Sequence, residues 1–230
     1  MTRYIVVEGL IGVGKTTLCR LLERERAATL VLEPAATNPF LGPFYAEPER
    51  YAFPVQMFYL INRWRQQSQI RQGDLFTELV VSDYLFEKDR LFAEKTLSRE
   101  ELSLYDRFAS ALGERAPVPD LLLYLEAPIP VIMSRILRRL APGEQAITEA
   151  YLVDLRDRYE RLLADWTACP VVRLDNRDMN YADDVEVQHR LLRMIDSVLE
   201  GGPLPTTPGS RVDREVQQQL FSGRTKRNSQ

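Results

Sequence analysis

The stretch GLIGVGKTT, residues 9–17, follows the apolar run YIVVE and precedes the helical pattern LCRLLERE. Gly9, Gly14, Lys15 and Thr16 satisfy the pattern G-x-x-x-x-G-K-[ST] in the order strand, loop, helix that gives the pattern its meaning. The glycines let successive backbone N–H groups turn towards one anion, and the positive end of the following helix adds to the attraction. The stretch therefore predicts a loop that binds phosphate groups.

Two side chains of this loop indicate a nucleotide and a metal. A lysine at the position of Lys15 reaches the outer phosphates, and the hydroxyl of Thr16 is placed to ligate Mg²⁺. We therefore expect a nucleoside triphosphate, ATP, bound together with Mg²⁺. The candidate nucleotide-binding residues are Gly9, Leu10, Ile11, Gly12, Val13, Gly14, Lys15, Thr16 and Thr17.

Composition argues against several classes of protein. The 230 residues carry a formal net charge of -3, which gives no overall attraction to nucleic acid or to an anionic membrane. Two cysteines and one histidine do not indicate a disulfide framework or a zinc site. No apolar run approaches the ~18 residues of a membrane span, and the sequence enters a strand pattern without a signal peptide. We expect a cytoplasmic protein without a membrane or nucleic-acid partner.

Apolar runs alternate with helical patterns along the chain. Continuous β-rich runs occupy residues 4–7, 30–32, 79–81, 121–125 and 171–174. Helical patterns occupy residues 15–27, 48–71, 97–113, 128–140, 148–166 and 182–199. Continuous hydrophobicity suits parallel strands buried on both faces, so the alternation predicts a three-layer α/β/α fold with a five-stranded parallel sheet.

The domain organisation is read from a change in composition. Residues 1–200 are predicted to form one domain of the phosphate-loop class. After residue 200, Gly, Pro, Thr, Ser and Gln cluster and large apolar residues are few. Residues 201–230 are therefore predicted to be a mostly disordered tail.

Acidic residues end the predicted strands. They are Glu8, Glu33, Asp83, Glu126 and Asp175. Ligands of an open parallel sheet bind outside the carboxyl ends of its strands. Glu33 and Asp83 are the better candidates, because a proline ends one strand abruptly and both strands are expected to flank the first. Phosphoryl transfer needs a base near the accepting hydroxyl, which Glu33 can supply, whereas Glu126 and Asp175 also fit solvated caps.

Longer segments resemble a known family, the deoxynucleoside kinases, which include deoxycytidine, deoxyguanosine and deoxyadenosine kinases. The similar segments, in the family's order and spacing, are EGLIGVGKTT, LEP, YAEPERYAFPVQMFYLINR, VVSDYLFEKDRLFA and RILRRLAPGEQAITEAYL. The resemblance covers residues 4–159. It implies ATP-dependent phosphorylation of the 5'-hydroxyl of a deoxynucleoside in nucleotide salvage, a mobile helical lid and a homodimer.

The resemblance implies roles in catalysis for several charged residues. Glu33 corresponds to the general base. Lys15, on the loop, and Arg135 and Arg139, in the lid, correspond to cations that act on the phosphates. Asp83 matches the acid of the family's D/E-R-S motif and is a candidate ligand of Mg²⁺ alongside the loop hydroxyl.

The resemblance also implies how the nucleoside is held. Gln56 corresponds to the glutamine that pairs with the base, and Arg63 lies two helical turns further on the same face. Asp89 corresponds to the aspartate that works with Arg63, a pair that favours purine deoxynucleosides or deoxycytidine over thymidine. Tyr45 and Glu144 correspond to the residues that hold the sugar 3'-hydroxyl. The candidate substrate-binding residues are Glu33, Tyr45, Gln56, Arg63, Asp83, Asp89 and Glu144.

The sequence departs from the family pattern at two positions. Tyr84 and Ala141 stand where arginines that contact phosphate are usual. A missing cation beside developing phosphoryl charge removes transition-state stabilisation. The nearby cations that are candidates to compensate are Lys88, Arg90, Arg135 and Arg138.

Two other functions are compatible with the phosphate loop. A nucleoside monophosphate kinase resembling thymidylate kinase shares the opening motif, but it needs extra cations for an acceptor phosphate. A catalytically silent nucleotide-binding subunit of the same fold would account for the two missing arginines. The preferred base is left open by the sequence.

Overall fold

The computed structural model of the chain describes residues 2–72, 77–112, 116–139 and 144–205. The strands are β1 (Arg3–Gly9), β2 (Thr29–Val31), β3 (Leu79–Ser82), β4 (Leu121–Glu126) and β5 (Val171–Asp175). The helices are α1 (Lys15–Arg26), α2 (Leu41–Ala46), α3 (Pro48–Gln72), α4 (Lys88–Thr96), α5 (Arg99–Leu112), α6 (Ile129–Arg139), α7 (Glu149–Ala164) and α8 (Val185–Leu199). Short 3-10 helices cover Ala35–Thr37 and Glu144–Ala146.

The strands lie in the order β2-β3-β1-β4-β5, and each adjacent pair is parallel. This arrangement confirms the predicted α/β fold with a five-stranded parallel sheet. The expectation that the strands before Glu33 and Asp83 both flank the first strand is wrong, because β3 separates β2 from β1. The three residues of β2 are partly or fully exposed, as suits an edge, whereas β3 is largely buried.

Alternate residues of β1 face two different layers. Ile5 and Val7 belong to a cluster that includes Leu18 of α1 and Leu191 of α8. Tyr4 and Val6 belong to a second cluster, against which residues of α3 and α7 pack. Burial on both faces explains why this strand is continuously apolar, since neither side of it meets water. The carboxyl end of β1 is thereby fixed at the middle of the sheet, where the phosphate loop begins.

The sequence patterns did not predict two of the helices. Residues 41–46 form α2, and residues 88–96 form α4, so that the helix predicted from residue 97 is α5 and begins at Arg99. The buried residues of α4 are Lys88, Asp89, Leu91 and Ala93. Two of these four residues carry charge, so the buried face of α4 produces no apolar periodicity for a sequence reading to detect.

Parts of the sequence prediction lie outside the described residues. These are Leu140 and Ala141 of the predicted lid, and residues 206–230 of the predicted tail. Within the ranges that the structure describes, no helix combines the length and the apolar character needed to cross a bilayer.

Helix α8, which covers one face of the sheet, begins with a side-chain cap. The Asp184 carboxylate accepts hydrogen bonds from the N–H groups of Glu186 at 2.9 Å and Val187 at 3.2 Å. We expect Asp184→Ala to lower the free energy of unfolding by ~1 kcal/mol, because two N–H groups lose their acceptor. Urea denaturation measures the change. Asp183→Ala removes the same charge from an exposed neighbour without a cap, and an equal loss in both variants would contradict the assignment.

Candidate active site

The phosphate loop has a backbone that only glycine adopts without strain. Gly9 has φ +142° and Gly14 has φ +111°, and a Cβ at Gly9 would overlap the Leu125 carbonyl oxygen. The ammonium group of Lys15 donates to the carbonyl oxygens of Gly9 at 2.7 Å and Leu10 at 3.1 Å. Helix α1 begins directly after Gly14, so the unpaired N–H groups of its first turn face the loop. This geometry fits a bound phosphate chain.

A segment after β5 supports the loop from outside. The Asn176 side-chain amide donates to the Val13 carbonyl and to the Tyr181 hydroxyl, and Tyr181 donates to the Gly14 carbonyl at 3.0 Å. Arg135 of α6 also donates to the Val13 carbonyl, at 3.2 Å, and to the Asn176 carbonyl, at 2.7 Å. These contacts hold the outer carbonyl groups of the loop, leaving its N–H groups available for an anion.

Asp83 connects the loop to the segment after β2. One carboxylate oxygen accepts the hydroxyl proton of Thr16 at 2.9 Å, and the other accepts the Glu33 N–H at 2.7 Å. Burial raises the pKa of Asp83, although these hydrogen bonds and nearby Lys88 oppose the rise. The Thr16 hydroxyl and the Asp83 carboxylate are hard oxygen donors beside a phosphate loop. Such a pair fits Mg²⁺, which takes one or two protein ligands together with substrate phosphates and water.

The Glu33 carboxylate is held by two cations. Arg63 donates to one oxygen, and the ammonium group of Lys88 lies 3.2 Å from the other. Burial alone would raise the pKa of Glu33, but the attraction of Lys88 and Arg63 outweighs it and lowers the pKa to about 2. Glu33 is therefore ionised at neutral pH. Either of its oxygens can accept a proton only when the cation paired with that oxygen moves away.

Arg63 lies deep in the site and makes a second ion pair, with Asp89 of α4. The other oxygen of Asp89 accepts the Tyr105 hydroxyl proton at 2.6 Å. Burial raises the pKa of Asp89, and the neighbouring guanidinium opposes that rise. The carboxylate is thus occupied on both sides by protein groups. Asp89 orients Arg63 and does not line the cavity itself.

A cavity of about 260 Å³ opens beside these charges, near the lower end of the range of small-molecule sites. One wall carries Tyr45, Arg139 and Glu144, and Arg139 donates to the Glu144 carboxylate at 3.1 Å. Burial raises the pKa of Tyr45 to about 12, so its hydroxyl stays protonated and can donate. Tyr45 and Glu144 together offer a donor and an acceptor to a ligand hydroxyl.

The inner cavity is also lined by Gln56, whose amide orientation is fixed by Thr96. The Thr96 hydroxyl donates its proton to the Phe92 carbonyl at 2.8 Å, so it can only accept from Gln56, whose Nε2 lies at 3.0 Å. The Gln56 Oε1 atom is buried and has no hydrogen-bond partner among the described residues. The ring of Tyr59 also lines this region, with the Arg63 guanidinium 4.9 Å from its centroid. The cavity thus presents an unsatisfied acceptor between aromatic walls.

A second, more open cavity of about 540 Å³ lies on the outer side of the phosphate loop. It shares Gly12, Lys15, Thr16 and Arg139 with the first cavity. Arg135, Asn176 and Tyr181 line only the outer one. The two cavities therefore meet at the loop lysine and hydroxyl.

The predicted site residues divide into those that the structure brings together and those that it separates. Glu33, Tyr45, Gln56, Arg63, Asp83 and Glu144 share the inner cavity with Gly9, Ile11, Gly12, Lys15 and Thr16. Asp89 stands behind Arg63, and Arg135 lies on the outer cavity. The side chains of Leu10 and Val13 are buried in the core, so these residues can offer a ligand only their backbone.

Sequence reasoning missed some of the residues that line the cavities. Thr96 and Tyr159 line the inner one, and Asn176 and Tyr181 the outer one. Asn176 directly follows β5, at the edge where ligands of parallel sheets bind, and this position was the available signal for it. The sequence indicated Lys88 only as a nearby cation, whereas in the structure Lys88 lines the inner cavity.

The chain is similar to known proteins over most of its length. A family model described as deoxynucleoside kinase matches residues 5–200. A deoxyguanosine kinase of Bacillus subtilis (strain 168) is 34% identical over 158 residues, which cover 68% of this chain and 76% of that protein. A deoxyadenosine/deoxycytidine kinase of the same organism is 29% identical over 202 residues, which cover 85% of this chain and 92% of that protein.

Solved structures show the same fold. A deoxyadenosine kinase from M. mycoides with bound dATP has a TM-score of 0.68 and 22% identity, covering 83% of this chain and 97% of that one. The same enzyme with dCMP and dCDP bound has a TM-score of 0.71 and 21% identity, covering 84% of this chain and 99% of that one.

The phosphate loop generates a prediction about nucleotide binding. Gly9→Ala forces a side chain into a left-handed conformation against the Leu125 carbonyl, which strand pairing fixes in place. We expect this variant to lose ATP binding measured by calorimetry, and to lose at least ~2 kcal/mol of stability. Gly42→Ala is the matched control, because a Cβ there meets nothing within 4 Å. Undiminished ATP affinity in Gly9→Ala would contradict the role of the loop.

Proposed function

The chain belongs to the deoxynucleoside kinase family, and from that premise we propose how its residues transfer a phosphoryl group from ATP to the 5'-hydroxyl of a deoxynucleoside in nucleotide salvage. The observation that carries the proposal is the meeting of two cavities at Lys15 and Thr16, with Glu33 on the inner side. A donor on one side and an acceptor on the other would then face each other across the loop.

The donor side holds phosphates and Mg²⁺. The loop N–H groups and Lys15 bind the outer phosphates, while Thr16 and Asp83 hold Mg²⁺. Mg·ATP supplies the γ-phosphoryl group when bound. Arg135 and Arg139 act on the phosphates from α6, Arg135 from the outer cavity and Arg139 from the residues that both cavities share. These cations neutralise charge without entering the covalent chemistry.

The acceptor side holds the nucleoside. Tyr45 and Glu144 bind the sugar 3'-hydroxyl, which leaves the 5'-hydroxyl directed towards Glu33. Glu33 accepts the 5'-hydroxyl proton as the oxygen attacks the phosphoryl group. The carboxylate is already ionised, and one of its oxygens accepts the proton as the cation paired with it moves away.

We assign recognition of the base to Gln56 in the inner cavity. Gln56 offers a free acceptor, its Oε1 atom, because Thr96 occupies the amide nitrogen. Adenine, guanine and cytosine each carry an exocyclic amino group that can donate to it, whereas thymine can donate only through its ring N3–H. Together with the pair of Arg63 and Asp89, which the resemblance links to purine and deoxycytidine kinases, this leads us to rank purine deoxynucleosides and deoxycytidine above thymidine as substrates. Curated relatives named deoxyguanosine kinase and deoxyadenosine/deoxycytidine kinase support this order.

The two alternative functions fit the site less well. A monophosphate kinase must bind an acceptor phosphate, yet the cations Arg63, Lys88 and Arg139 of the described inner cavity each already face a carboxylate. A silent subunit would not need a carboxylate poised beside the loop. A cytoplasmic location and a homodimer stay predictions.

A direct assay tests the proposed function. The purified protein is incubated with Mg·ATP and, separately, deoxyadenosine, deoxyguanosine, deoxycytidine, thymidine or dTMP, and the phosphorylated product is followed. We expect a deoxynucleoside monophosphate from one or more of the first three, little from thymidine, and no turnover when EDTA removes Mg²⁺. Reaction with dTMP alone would favour the monophosphate kinase, and ATP binding without any product would favour the silent subunit.

The role of Glu33 has its own test. Glu33→Gln keeps the shape of the side chain but removes the proton acceptor, so we expect kcat to fall by about 10²- to 10⁴-fold. Binding of the deoxynucleoside, measured by calorimetry, should persist. Glu47→Gln makes the same change at an exposed position outside the cavity and should leave kcat unchanged. Normal turnover of Glu33→Gln would exclude Glu33 as the base.

A further inference from the structure

Lys88 is a buried cation at the carboxyl edge of the sheet. Its side chain is 5% exposed, and its ammonium nitrogen lies 3.2 Å from a Glu33 oxygen and 3.9 Å from a Glu8 oxygen. An ammonium group so far from water requires carboxylate partners. The Glu8 carboxylate is already held by the backbone, since it accepts hydrogen bonds from the Gly9 and Leu85 N–H groups at 2.8 Å. Glu33 is therefore the carboxylate that Lys88 can leave for another anion.

Two other cations of the inner cavity, Arg63 and Lys15, are fixed more firmly. Arg63 bridges two carboxylates, Glu33 and Asp89. Lys15 is bound to two loop carbonyl groups. Lys88 instead carries its charge on a flexible four-carbon stem, and it makes one close contact within the cavity. Of these three cations, Lys88 can turn with the least rearrangement.

Position 84, where the resemblance implies an arginine, cannot supply a charge to the cavity. The Tyr84 side chain is fully buried, and its hydroxyl donates to the side-chain Oε1 atom of Gln66 at 2.8 Å. Tyr84 does not line the inner cavity, whereas Lys88, four residues further along the chain, does. The cavity thus receives its additional cation from the start of α4.

We propose that Lys88 is a catalytic residue that pairs with Glu33 before the acceptor binds and turns to the transferring phosphoryl group when the acceptor hydroxyl reaches Glu33. The inference rests on the proposed function and adds a residue to it. In the step, a bond forms between the 5'-oxygen and the γ-phosphorus while the bond from that phosphorus to the bridging oxygen breaks. The hydroxyl proton goes to Glu33, and the electron pair of the broken bond stays with ADP. Lys88 neutralises the phosphoryl oxygens and in turning releases one oxygen of Glu33.

The first test compares turnover. We expect Lys88→Gln to lower kcat by about 10²- to 10³-fold with little change in the KM for ATP, because the contact is made in the transition state. Lys95→Gln is the control, since Lys95 lies on the same helix, is partly buried and pairs with Asp154 outside the cavity. An unchanged kcat in Lys88→Gln would overturn the proposal. A rise in the nucleoside KM alone would also overturn it, by making Lys88 a binding residue.

The second test does not depend on turnover or on the unpaired Glu33 charge. Glu33→Gln and Glu33→Gln/Lys88→Gln are compared for retention of labelled ADP with Mg²⁺ and fluoroaluminate, which imitates the transferring phosphoryl group. We expect the double variant to retain Mg·ADP alone as well as the single variant does, and to lose the fluoroaluminate complex. Equal retention of fluoroaluminate would overturn the proposal.

The two tests separate failure of the inference from failure of the proposed function. Wild-type protein that phosphorylates a deoxynucleoside, with Lys88→Gln equally active, refutes the role of Lys88 and leaves the function standing. Wild-type protein that phosphorylates no acceptor refutes the function. The fluoroaluminate comparison then still decides, by loss or by equal retention, whether Lys88 faces the transferring group.

Discussion

The guanidinium group of Arg63 lies between the carboxylates of Glu33 and Asp89, with the rings of Tyr59 and Tyr84 at 4.9 and 5.5 Å. A charge at this depth is stable only because it is paired, and removing either partner of such a pair typically costs ~3–5 kcal/mol. The interaction joins α3 to α4 and to the segment after β2. These three parts of the chain form much of the wall of the inner cavity, so its shape depends on this one cation.

The same arrangement brings carboxylates and cations together in the site. Carboxylates from the ends of β1, β2 and β3 collect at one edge of the sheet, and cations from α3, α4 and the phosphate loop balance them. Because Glu33 is held ionised by its neighbours, it is ready to accept a proton once a cation moves away. A nucleophile's proton and a transferring phosphoryl group would therefore meet charges that the fold already holds beside them, and such preorganised charges stabilise a transition state more strongly than charges in water do.

Much of the fold follows from local sequence. The buried strands are continuously apolar, and the loop pattern lies between a strand and a helix, so both could be predicted with their approximate bounds. Helix α4 could not, because Lys88 and Asp89 occupy its buried face and remove the apolar periodicity. The position of β2 at the edge of the sheet could not be predicted from the sequence either. Three residues carry too little pattern to say which neighbour they pair with, and the pairing with β3 is decided by packing.

The sequence by itself determined the residue types of the site. They are glycines in a loop whose backbone conformation only glycine adopts without strain, a lysine and a hydroxyl at the end of that loop, and acids where strands end. These features are local, since they depend on backbone conformation and on neighbours within one turn or strand. The tertiary structure decided which charges meet. It set Asp89 behind Arg63, brought Lys88 against Glu33 and put Arg135 on the outer cavity. Such partners are 26 and 55 residues apart in sequence for the first two pairs, and only the packing of helices on the sheet brings them within hydrogen-bonding distance.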